Sequence, residues 1–285
     1  MDTVPMRIEL KPDAQPFCIY SARSIPLAYR KQVKEELEDM ECKGIIEKVG
    51  DRCVDWCHPL VTFPKPGGGV RITTDLSKLN AQVKRTIHNS RTPADVMASR
   101  PTGSKYFSTL DAKSGYHQVP LDESSRDLTT FITPWGRYRY LRSPMGFISS
   151  GDSYNLKGDS ALQGIENAAK VVDDILVENM SLEKHYEDVV TVLERCRKSK
   201  ITLNLKKFAF AEQSVKFAGF VVSRDGIKAD PDKVRGLSEF PKPANITELR
   251  SFMGVVNQLG NFSSEISGAA TPLRGLLQKK NDFLW

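Results

Sequence analysis

The sequence lacks the features of a membrane-inserted or exported protein. No run approaches the roughly 18 consecutive apolar residues of a membrane-spanning helix, and residues 1–10 have no apolar core like that of a signal peptide. Cysteines are few and odd in number, which favours free thiols in a reducing compartment over a disulfide framework. We therefore expect an intracellular protein with no membrane partner. The cysteines are Cys18, Cys42, Cys53, Cys57 and Cys196.

The chain also lacks the glycine patterns of Rossmann and P-loop proteins, internal repeats and low-complexity segments. Predicted strands and helices mix without strict βαβ alternation, which indicates the α+β class rather than a doubly wound sheet. The 41 Lys and Arg residues exceed the 35 acidic residues and give a formal charge of +6. This excess favours an anionic partner, nucleic acid first, although a mildly basic surface also serves solubility alone.

Alternation of apolar residues and turn residues predict many short strands. A proline-punctuated segment at 11–29 is predicted to be extended, because each proline restricts its own backbone and that of the residue before it. A flexible hairpin that contains Pro66 and Gly67 is predicted to join two of the strands. The predicted strands are 45–49, 59–63, 70–74, 106–110, 129–133, 138–141, 168–172, 175–177, 201–205, 208–211 and 215–222.

Three longer segments have the apolar spacing of helices. The first covers 26–43. The second begins after Ser181, a plausible cap, and the third follows Asn245, which with Glu248 resembles a capping box. The apolar face predicted for the second helix consists of Leu182, Tyr186, Val189, Val190, Leu193 and Cys196.

Three aspartates are the strongest candidates for chemistry. Asp173 and Asp174 lie side by side between two apolar β-type runs, where like charges repel and lose hydration unless a cation is bound. A surface turn is the ordinary alternative, since Asp is common in turns. Asp111 follows the predicted strand 106–110. Paired strands would bring the three carboxylates together as a cradle for two metal ions about 3.5–4 Å apart, the arrangement of in-line phosphoryl transfer.

Six segments, in order along the chain, resemble motifs of reverse transcriptases from gypsy-type long-terminal-repeat retrotransposons and, more distantly, retroviruses. The resemblance covers roughly residues 27–285. The segments are VRITTDLSKLN at 70–80 (fingers), FSTLDAKSGYHQ at 107–118 (first catalytic motif), SPMGF at 143–147 (template grip), VVDD at 171–174 (the Tyr-x-Asp-Asp position), FAGF at 217–220 (primer grip) and LRSFMG at 249–254 (the helical region before a ribonuclease H module).

The resemblance implies a right-hand polymerase with fingers, palm and thumb, in which the palm is an antiparallel sheet backed by helices. The implied divisions are 1–87 for an N-terminal extension and fingers, 88–118 for the first part of the palm, 119–147 for the second part of the fingers, 148–228 for the second part of the palm, and 229–285 for a helical thumb or connection.

The resemblance also implies the roles of individual residues. Asp111, Asp173 and Asp174 are the implied catalytic residues, and with Ala112 they would hold two Mg²⁺ ions, with Mn²⁺ as the alternative. Tyr116 would exclude a 2′-hydroxyl, the alternative being a core aromatic. The implied deoxynucleotide contacts are Lys65, Arg71, Lys113, Ser114, Gly115, Tyr116 and Met145. The implied template and primer contacts are Asn80, Pro144, Gly146, Phe217, Ala218, Gly219 and Phe220.

Two departures from the family pattern bear on these roles. Val171 replaces the usual tyrosine, which removes a hydroxyl and an aromatic face near the primer end. Residues 152–155 replace the Ala-Pro-x-x-Phe stretch of many relatives, so the helix behind the template is expected to pack differently. Either Lys206 or Lys207 is a candidate general acid for the leaving pyrophosphate, and a plain basic strand edge is the alternative.

The leading hypothesis is an RNA-directed DNA polymerase that acts on an RNA or DNA template-primer, in the cytoplasm or in virus-like particles. Ribonuclease H and integrase modules of the same polyprotein are further candidate partners. The alternatives are a polymerase-derived fragment that binds nucleic acid without synthesis and, less favoured, a metal-dependent nuclease. Cys53, Cys57 and His58 also suggest zinc, but no second ligand pair follows at suitable spacing.

Overall fold

The computed structural model describes residues 1–65, 68–260 and 264–278. Pro66 and Gly67 of the predicted hairpin, and residues 279–285 of the predicted thumb, lie outside the described residues. Internal contacts divide the chain into two units. The first unit comprises residues 1–90, 112–165 and 191–204; the second comprises 91–111, 166–190 and 205–285.

The secondary structure of the described residues follows in chain order. The helices are α1 (Leu27–Cys42), α2 (Ser77–Gln82), α3 (Pro93–Ala98), α4 (Glu123–Arg126), α5 (Ser150–Leu162), α6 (Leu182–Lys198), α7 (Pro231–Ser238), α8 (Ile246–Leu259), α9 (Ser264–Ala269) and α10 (Thr271–Leu276). The strands are β1 (Ile46–Lys48), β2 (His58–Pro64), β3 (Val70–Thr74), β4 (Tyr106–Asp111), β5 (Phe131–Thr133), β6 (Gly136–Tyr140), β7 (Ala168–Val171), β8 (Asp174–Asn179), β9 (Ala209–Glu212), β10 (Ser214–Phe217), β11 (Phe220–Ser223) and β12 (Gly226–Ala229). Short 3₁₀ helices cover Gly115–Gln118, Asp127–Thr129 and Leu205–Lys207.

The first unit contains a five-stranded sheet in the order β1-β6-β5-β2-β3. Its pairs are antiparallel except β2 with β5, which is parallel. Helix α1 buries Val33, Leu37 and Met40 and contacts β3. The hairpin of β2 and β3 therefore has a helix behind it, and that hairpin carries Lys65 and Arg71.

The second unit contains an antiparallel four-stranded sheet in the order β7-β8-β4-β9 and a three-stranded sheet in the order β10-β11-β12. Apolar residues of α3 and of both sheets form one buried cluster. The members are Val96, Met97, Phe107, Val171, Leu176, Val215, Phe217, Phe220 and Val222. This core fixes the two sheets of the unit against each other and so supports the strand ends that carry the acidic residues.

The C-terminal helices of the second unit form a separate small core. Asn245 caps α8 by accepting a hydrogen bond from the Glu248 N–H at 2.9 Å, which confirms the predicted helix start. Leu249, Met253 and Val256 of α8 are buried against Ala270. Among the described residues, none of the helices has both the length and the apolar character needed to cross a bilayer.

Two predicted strands differ in the structure. The strand predicted at 201–205 is absent: Leu203 forms a single bridge with Ala112, and a 3₁₀ turn begins at Leu205. The strand predicted at 215–222 is a hairpin of β10 and β11, because Ala218 and Gly219 adopt positive φ angles of 47° and 88° and reverse the chain. A run of apolar residues does not reveal a two-residue turn within it.

The predicted apolar face of α6 was also wrong in part. Leu182, Tyr186 and Leu193 are exposed, whereas the polar residues His185 and Asp188 are buried. The buried face of the helix is therefore rotated relative to the apolar pattern. His185 and Asp188 can be buried because both hydrogen-bond to Asn179 of β8, which offsets the cost of burying polar groups.

Candidate active site

Strand pairing in the second unit brings two of the predicted catalytic aspartates together. Asp111 ends β4, Asp174 begins β8, and the two are direct partners in the antiparallel register. Asp173 lies in the turn between β7 and β8, where Val172 has a φ of 52°. Adjacent cross-strand side chains lie within about 4.5–5.5 Å at their Cβ atoms. The sheet therefore holds two carboxylates next to each other at the adjoining ends of its two central strands.

The charges in this cluster oppose one another. Burial, and then the negative charge of Asp111, raise the pKa of Asp174 above its ordinary value, although the Ala218 backbone and the charge of Lys207 act in the other direction. The Lys207 ammonium lies 2.7 Å from Asp111 Oδ2 and offsets part of the negative charge. This hydrogen bond to Asp111 also raises the pKa of Lys207. The cluster has an excess of negative charge that a bound cation would relieve.

A cavity of about 440 Å³ opens beside these groups in the second unit. Asp111, Asp174 and Lys207 line it, so the geometry distinguishes the two candidate lysines: Lys207 reaches the carboxylates, whereas Lys206 is not part of the lining. The remaining lining residues are Thr109, Leu110, Ala209, Glu212, Ser214, Val215, Lys216 and Phe217.

The donors in this cluster suit a hard divalent cation. Carboxylate oxygens are the ligands that Mg²⁺ and Mn²⁺ take, and Asp111 and Asp174 present them side by side. Within the described ranges, no three His, Cys, Asp or Glu side chains already stand in a metal-binding arrangement. The ammonium of Lys207 takes up one oxygen of Asp111. Ala112, the remaining predicted ligand, belongs to the first unit and is buried there.

The predicted primer-grip residues form the hairpin between β10 and β11. Phe217 and Phe220 pair across it and are buried in the apolar core of the unit. Ala218 and Gly219 form the half-exposed turn. The aromatic side chains therefore brace the turn from inside, and the backbone of the turn is the part accessible to another molecule.

Val171, which stands at the family's tyrosine position, is also part of this core. Its side chain is 7% exposed and lies in the cluster that contains Phe217 and Phe220. Val171 thus extends an aliphatic core beneath the turn of Ala218 and Gly219.

The predicted triphosphate contacts lie in the first unit. Lys65 and Arg71 of the β2–β3 hairpin, Lys113 and Ser114 of the turn after β4, and Met145 line one cavity of about 480 Å³. Both basic hairpin residues are exposed, and Lys65 lies 4.0 Å from Glu36 of α1. The other lining residues are Glu36, Asp39, Met40, Lys43, Ile45, Ile72, His117, Gln118 and Thr202.

Tyr116, the predicted sugar gate, is half-buried in the 3₁₀ turn Gly115–Gln118. Its ring meets the ring of Tyr154 edge-on, with centroids 5.8 Å apart. A Cβ atom at Gly151 would lie 3.7 Å from the Tyr116 hydroxyl. Tyr154 belongs to the stretch that departs from the family pattern, so that departure directly supports the gate.

The predicted template-grip loop is held by Asn80. The amide nitrogen of Asn80 donates to the Gly146 carbonyl at 2.9 Å, and its oxygen accepts from the Ile148 N–H at 2.9 Å. Gly146 has a φ of 85° and is exposed, whereas Pro144 is buried. Asn80 therefore acts on the loop, and Gly146 is the exposed member of this group.

Gln118 and His117 line the cavity of the first unit, and neither was assigned a role from the sequence. The Gln118 amide donates to the carbonyls of Lys113 and Thr202 and accepts from the Thr202 N–H, which holds the turn after β4 in place. Burial lowers the pKa of His117 to about 4. Both lie inside the motif at 107–118, so their proximity to Asp111 was the available signal.

The zinc alternative has no support among the described residues, where no metal-binding cluster is found. His58 is fully buried and its Nε2 lies 3.0 Å from the Leu128 carbonyl. Cys53 is exposed, whereas Cys57 is buried. These side chains occupy different environments.

Comparison with known proteins points to one family. The family model for "Reverse transcriptase (RNA-dependent DNA polymerase)" matches residues 63–222. The retrovirus-related Pol polyprotein from transposon opus of Drosophila melanogaster is 31% identical over 281 residues, or 95% of this chain and 27% of that protein. The polyprotein from transposon gypsy of the same species is 32% identical over 217 residues, or 74% of this chain and 20% of that protein. The chain thus spans about a quarter of the length of these relatives.

Solved structures share the fold. A foamy viral protease-reverse transcriptase in complex with double-stranded DNA matches with a TM-score of 0.86 at 22% identity, and covers 100% of this chain and 50% of that chain. Its complex with an RNA/DNA hybrid matches with a TM-score of 0.85 at 21% identity, covering 100% of this chain and 38% of that one. These matches confirm the predicted α+β, right-hand polymerase fold.

Proposed function

The chain belongs to the reverse transcriptase family, and on that premise we propose that it is an RNA-directed DNA polymerase that extends a primer 3′ end on an RNA or DNA template. The observation that carries the proposal is the register pairing of Asp111 with Asp174, beside Asp173 and within reach of Lys207. A structural ion pair needs one carboxylate. Two opposed carboxylates at a strand edge cost stability unless they bind a cation.

In the proposed mechanism, Asp111, Asp173 and Asp174 with the Ala112 carbonyl would hold two magnesium ions, or manganese in their place. Bound there, the ions would lower the pKa of the primer hydroxyl and neutralise charge on the triphosphate. The 3′-hydroxyl attacks the α-phosphate and pyrophosphate leaves. Lys207, whose ammonium already lies at Asp111, is the proposed proton donor to the leaving pyrophosphate.

The residues that line the cavity of the first unit are proposed to bind the incoming deoxynucleotide. Arg71 and Lys65 supply positive charge, and a guanidinium can contact phosphate oxygens in bidentate fashion. Backbone amides of residues 112–116 are proposed to cradle the phosphates, except that of Lys113, which donates to the Thr202 carbonyl at 3.0 Å. Tyr116, braced by Tyr154, is proposed to exclude a 2′-hydroxyl. Met145 is the remaining proposed nucleotide contact.

The template and primer are proposed to contact the two grip turns. The exposed Gly146, held by Asn80 and preceded by Pro144, serves the template. The turn of Ala218 and Gly219, braced by Phe217 and Phe220, serves the primer. The fingers, palm and thumb divisions expected from the sequence are part of this proposal.

The biological setting is also a proposal. The relatives that match are polyproteins, so we propose that this chain acts with ribonuclease H and integrase modules of the same polyprotein. The site of action would be the cytoplasm or virus-like particles. The solved relatives were captured with double-stranded DNA and an RNA/DNA hybrid, which supports a template-primer as the ligand.

Primer extension tests the proposal. A labelled DNA primer on an RNA template is incubated with Mg²⁺, the four deoxynucleotides and either the parent chain or Asp173→Asn. Template-dependent product from the parent alone supports the polymerase. No product from the parent, with salt-sensitive primer-template binding retained, would favour the non-synthesising fragment. Release of shortened primer in place of extension would favour the nuclease.

A further inference from the structure

A buried chain of hydrogen bonds links strands β4 and β8 to helix α6 in the second unit. Ser108 Oγ lies 2.7 Å from His185 Nε2, and His185 Nδ1 lies 2.8 Å from Asn179 Oδ1. The Asn179 amide nitrogen donates to Asp188 at 2.7 Å. Ser108 and His185 are both 0% exposed. Because side chains alternate along a strand, Ser108 and Asp111 of β4 point to opposite faces of the sheet. The chain of hydrogen bonds is therefore separate from the carboxylate cluster.

Asp188, the last residue of this chain, fixes which group donates and which accepts in each hydrogen bond. Burial would raise the pKa of Asp188, but hydrogen bonds from Asn167, Lys184 and Asn179 outweigh it and lower the pKa, so Asp188 is a carboxylate that accepts. The Asn179 oxygen therefore faces His185 and accepts from Nδ1–H. Nε2 then carries a lone pair and accepts from the Ser108 hydroxyl. Burial lowers the pKa of His185, in agreement with a neutral ring.

Ser108 uses its other hydrogen-bonding capacity on the neighbouring strand. Its Oγ accepts from the Ala211 N–H at 3.0 Å. Between β4 and β9 the register runs from Phe107↔Glu212 to Thr109↔Ala209, so two residues of β9 oppose Ser108 alone. This is a β-bulge, and Ala211 has a φ of 53° within it. The hydroxyl of Ser108 thus satisfies the backbone amide that the bulge removes from the ladder.

The bulged strand β9 directly follows the segment that carries Lys207. Lys207 ends the 3₁₀ turn Leu205–Lys207, two residues before β9 begins. Its ammonium lies 2.7 Å from Asp111, which ends the same strand β4 that holds Ser108. The side chain of Lys207 is 62% exposed, so burial of the side chain does not hold it there. Its backbone position depends on how β9 pairs with β4.

We propose that Ser108 and His185 are positioning residues: their hydrogen bond locks the β9 bulge against β4 and thereby holds Lys207 beside Asp111. The inference rests on the proposed function, since it assigns Lys207 a part in catalysis. A purely structural role would require only that the two buried side chains satisfy each other. The Ser108 hydroxyl additionally accepts a hydrogen bond from a backbone amide of β9, the strand that directly follows the Lys207 segment.

The test is a double-mutant cycle with hydrogen exchange. Ser108→Ala and Lys207→Ala are made singly and together. Ser108→Cys keeps nearly the same volume, so it serves if the alanine variant does not fold. Ser104→Ala is the matched control, because Ser104 Oγ is buried in the same unit and has no hydrogen-bond partner among the described residues. Amide exchange of peptide 205–212 is followed by mass spectrometry, and kcat and KM by primer extension.

We expect Ser108→Ala to speed exchange of that peptide and to lower kcat about tenfold, with the KM for primer-template unchanged. In the Lys207→Ala background the same change should have no further effect on kcat, because its target is gone. Ser104→Ala should change neither reading.

Unchanged exchange in Ser108→Ala would overturn the inference, as would losses of kcat that multiply in the double variant. A parent chain that extends no primer would refute the proposed function instead. The exchange of peptide 205–212 then decides by itself whether Ser108 holds β9.

Discussion

The two cavities that carry the candidate site are built in opposite ways. In the second unit, Asp111 and Asp174 are half-buried on paired strands and their separation is set by the register of the sheet. In the first unit, Lys65, Arg71 and Lys113 are exposed on a hairpin and a turn. Short side chains on rigid strands suit a metal ion, which tolerates little variation in ligand geometry. Long, exposed cations would suit a triphosphate that must enter and leave.

This difference implies that substitutions in the two cavities should fail differently. A change at the strand-held carboxylates should abolish the chemical step, since the register of the sheet fixes the positions of these two charges. A change at an exposed cation should weaken substrate binding and leave part of the rate, because neighbouring cations remain. The following predictions test that contrast, from the largest expected effect to the smallest.

Asp174→Asn should lower the rate of primer extension at least about a thousand-fold, because it removes a charged ligand from the carboxylate pair. Primer-template affinity should stay within about threefold, because the grip turns are unaltered. The measurements are single-turnover extension and fluorescence anisotropy. Glu212→Gln is the control, since Glu212 lines the same cavity and should keep its activity. Equal losses in both variants would contradict a specific role for the pair.

Arg71→Ala should raise the KM for deoxynucleotides about 10- to 100-fold, because hydrogen bonds to charged groups contribute about 1.5–3 kcal/mol. The fall in kcat should be smaller. Arg71→Lys keeps the charge but not the bidentate geometry and should lie between the two. Steady-state kinetics with one varied deoxynucleotide provides the measurement. If kcat alone falls, the two cavities do not differ in the way described above.

His117 should make the first unit sensitive to acid. Burial lowers the pKa of His117 from 6.5 to about 4, so folding favours the neutral ring. Its contribution to stability is present above pH 6.5 and is lost as the pH falls towards 4. The difference corresponds to at most about 3 kcal/mol of unfolding free energy.

Urea unfolding between pH 7 and 4 measures this contribution. His117→Gln should flatten the acid limb of the stability curve. Met145→Leu, which changes a residue of the same cavity that carries no titratable group, should keep the parent slope. If the free energy of unfolding of His117→Gln depended on pH as it does in the parent, the cavity of the first unit would not destabilise the charged ring.

Val171→Tyr, which restores the residue usual in relatives, should lower the free energy of unfolding by about 1–3 kcal/mol, because it overpacks a filled core. Val171 is 7% exposed and shares its cluster with Phe217 and Phe220. Val172→Tyr is the matched control: Val172 is 40% exposed, so the change should cost no more than about 0.5 kcal/mol. Similar losses at both positions would mean that burial is not the cause.

The sequence was sufficient for the residue types of the site but not for all of its contacts. Asp111 and Asp174 were recognisable because an acid at the end of an apolar strand needs a reason, and strand pairing then brings them together. Lys206 and Lys207 were indistinguishable, because a register between β4 and β9 that includes a bulge decides which lysine reaches Asp111. Local patterns contain no information on such a long-range register.

The absence of long-range information in local patterns also explains the error in the predicted buried face of α6. Apolar periodicity locates a buried face only when the face is apolar. His185 and Asp188 are buried because they join Asn179 and Ser108 in one hydrogen-bonded chain, and the four residues come from three separate elements. These hydrogen bonds can form only once the three elements have packed together.

By itself, the sequence determined the α+β class, because short apolar strands and turn residues are local features. The resemblance of six ordered motifs indicated the family, and the places of the three acidic residues beside predicted strands made them the candidates for chemistry. Only the tertiary structure decided which lysine contacts Asp111, that Val171, Phe217 and Phe220 share one core, and that Tyr154 supports Tyr116. The physical reason is that these contacts join residues far apart in the chain, and their geometry depends on strand register and packing that no single segment specifies.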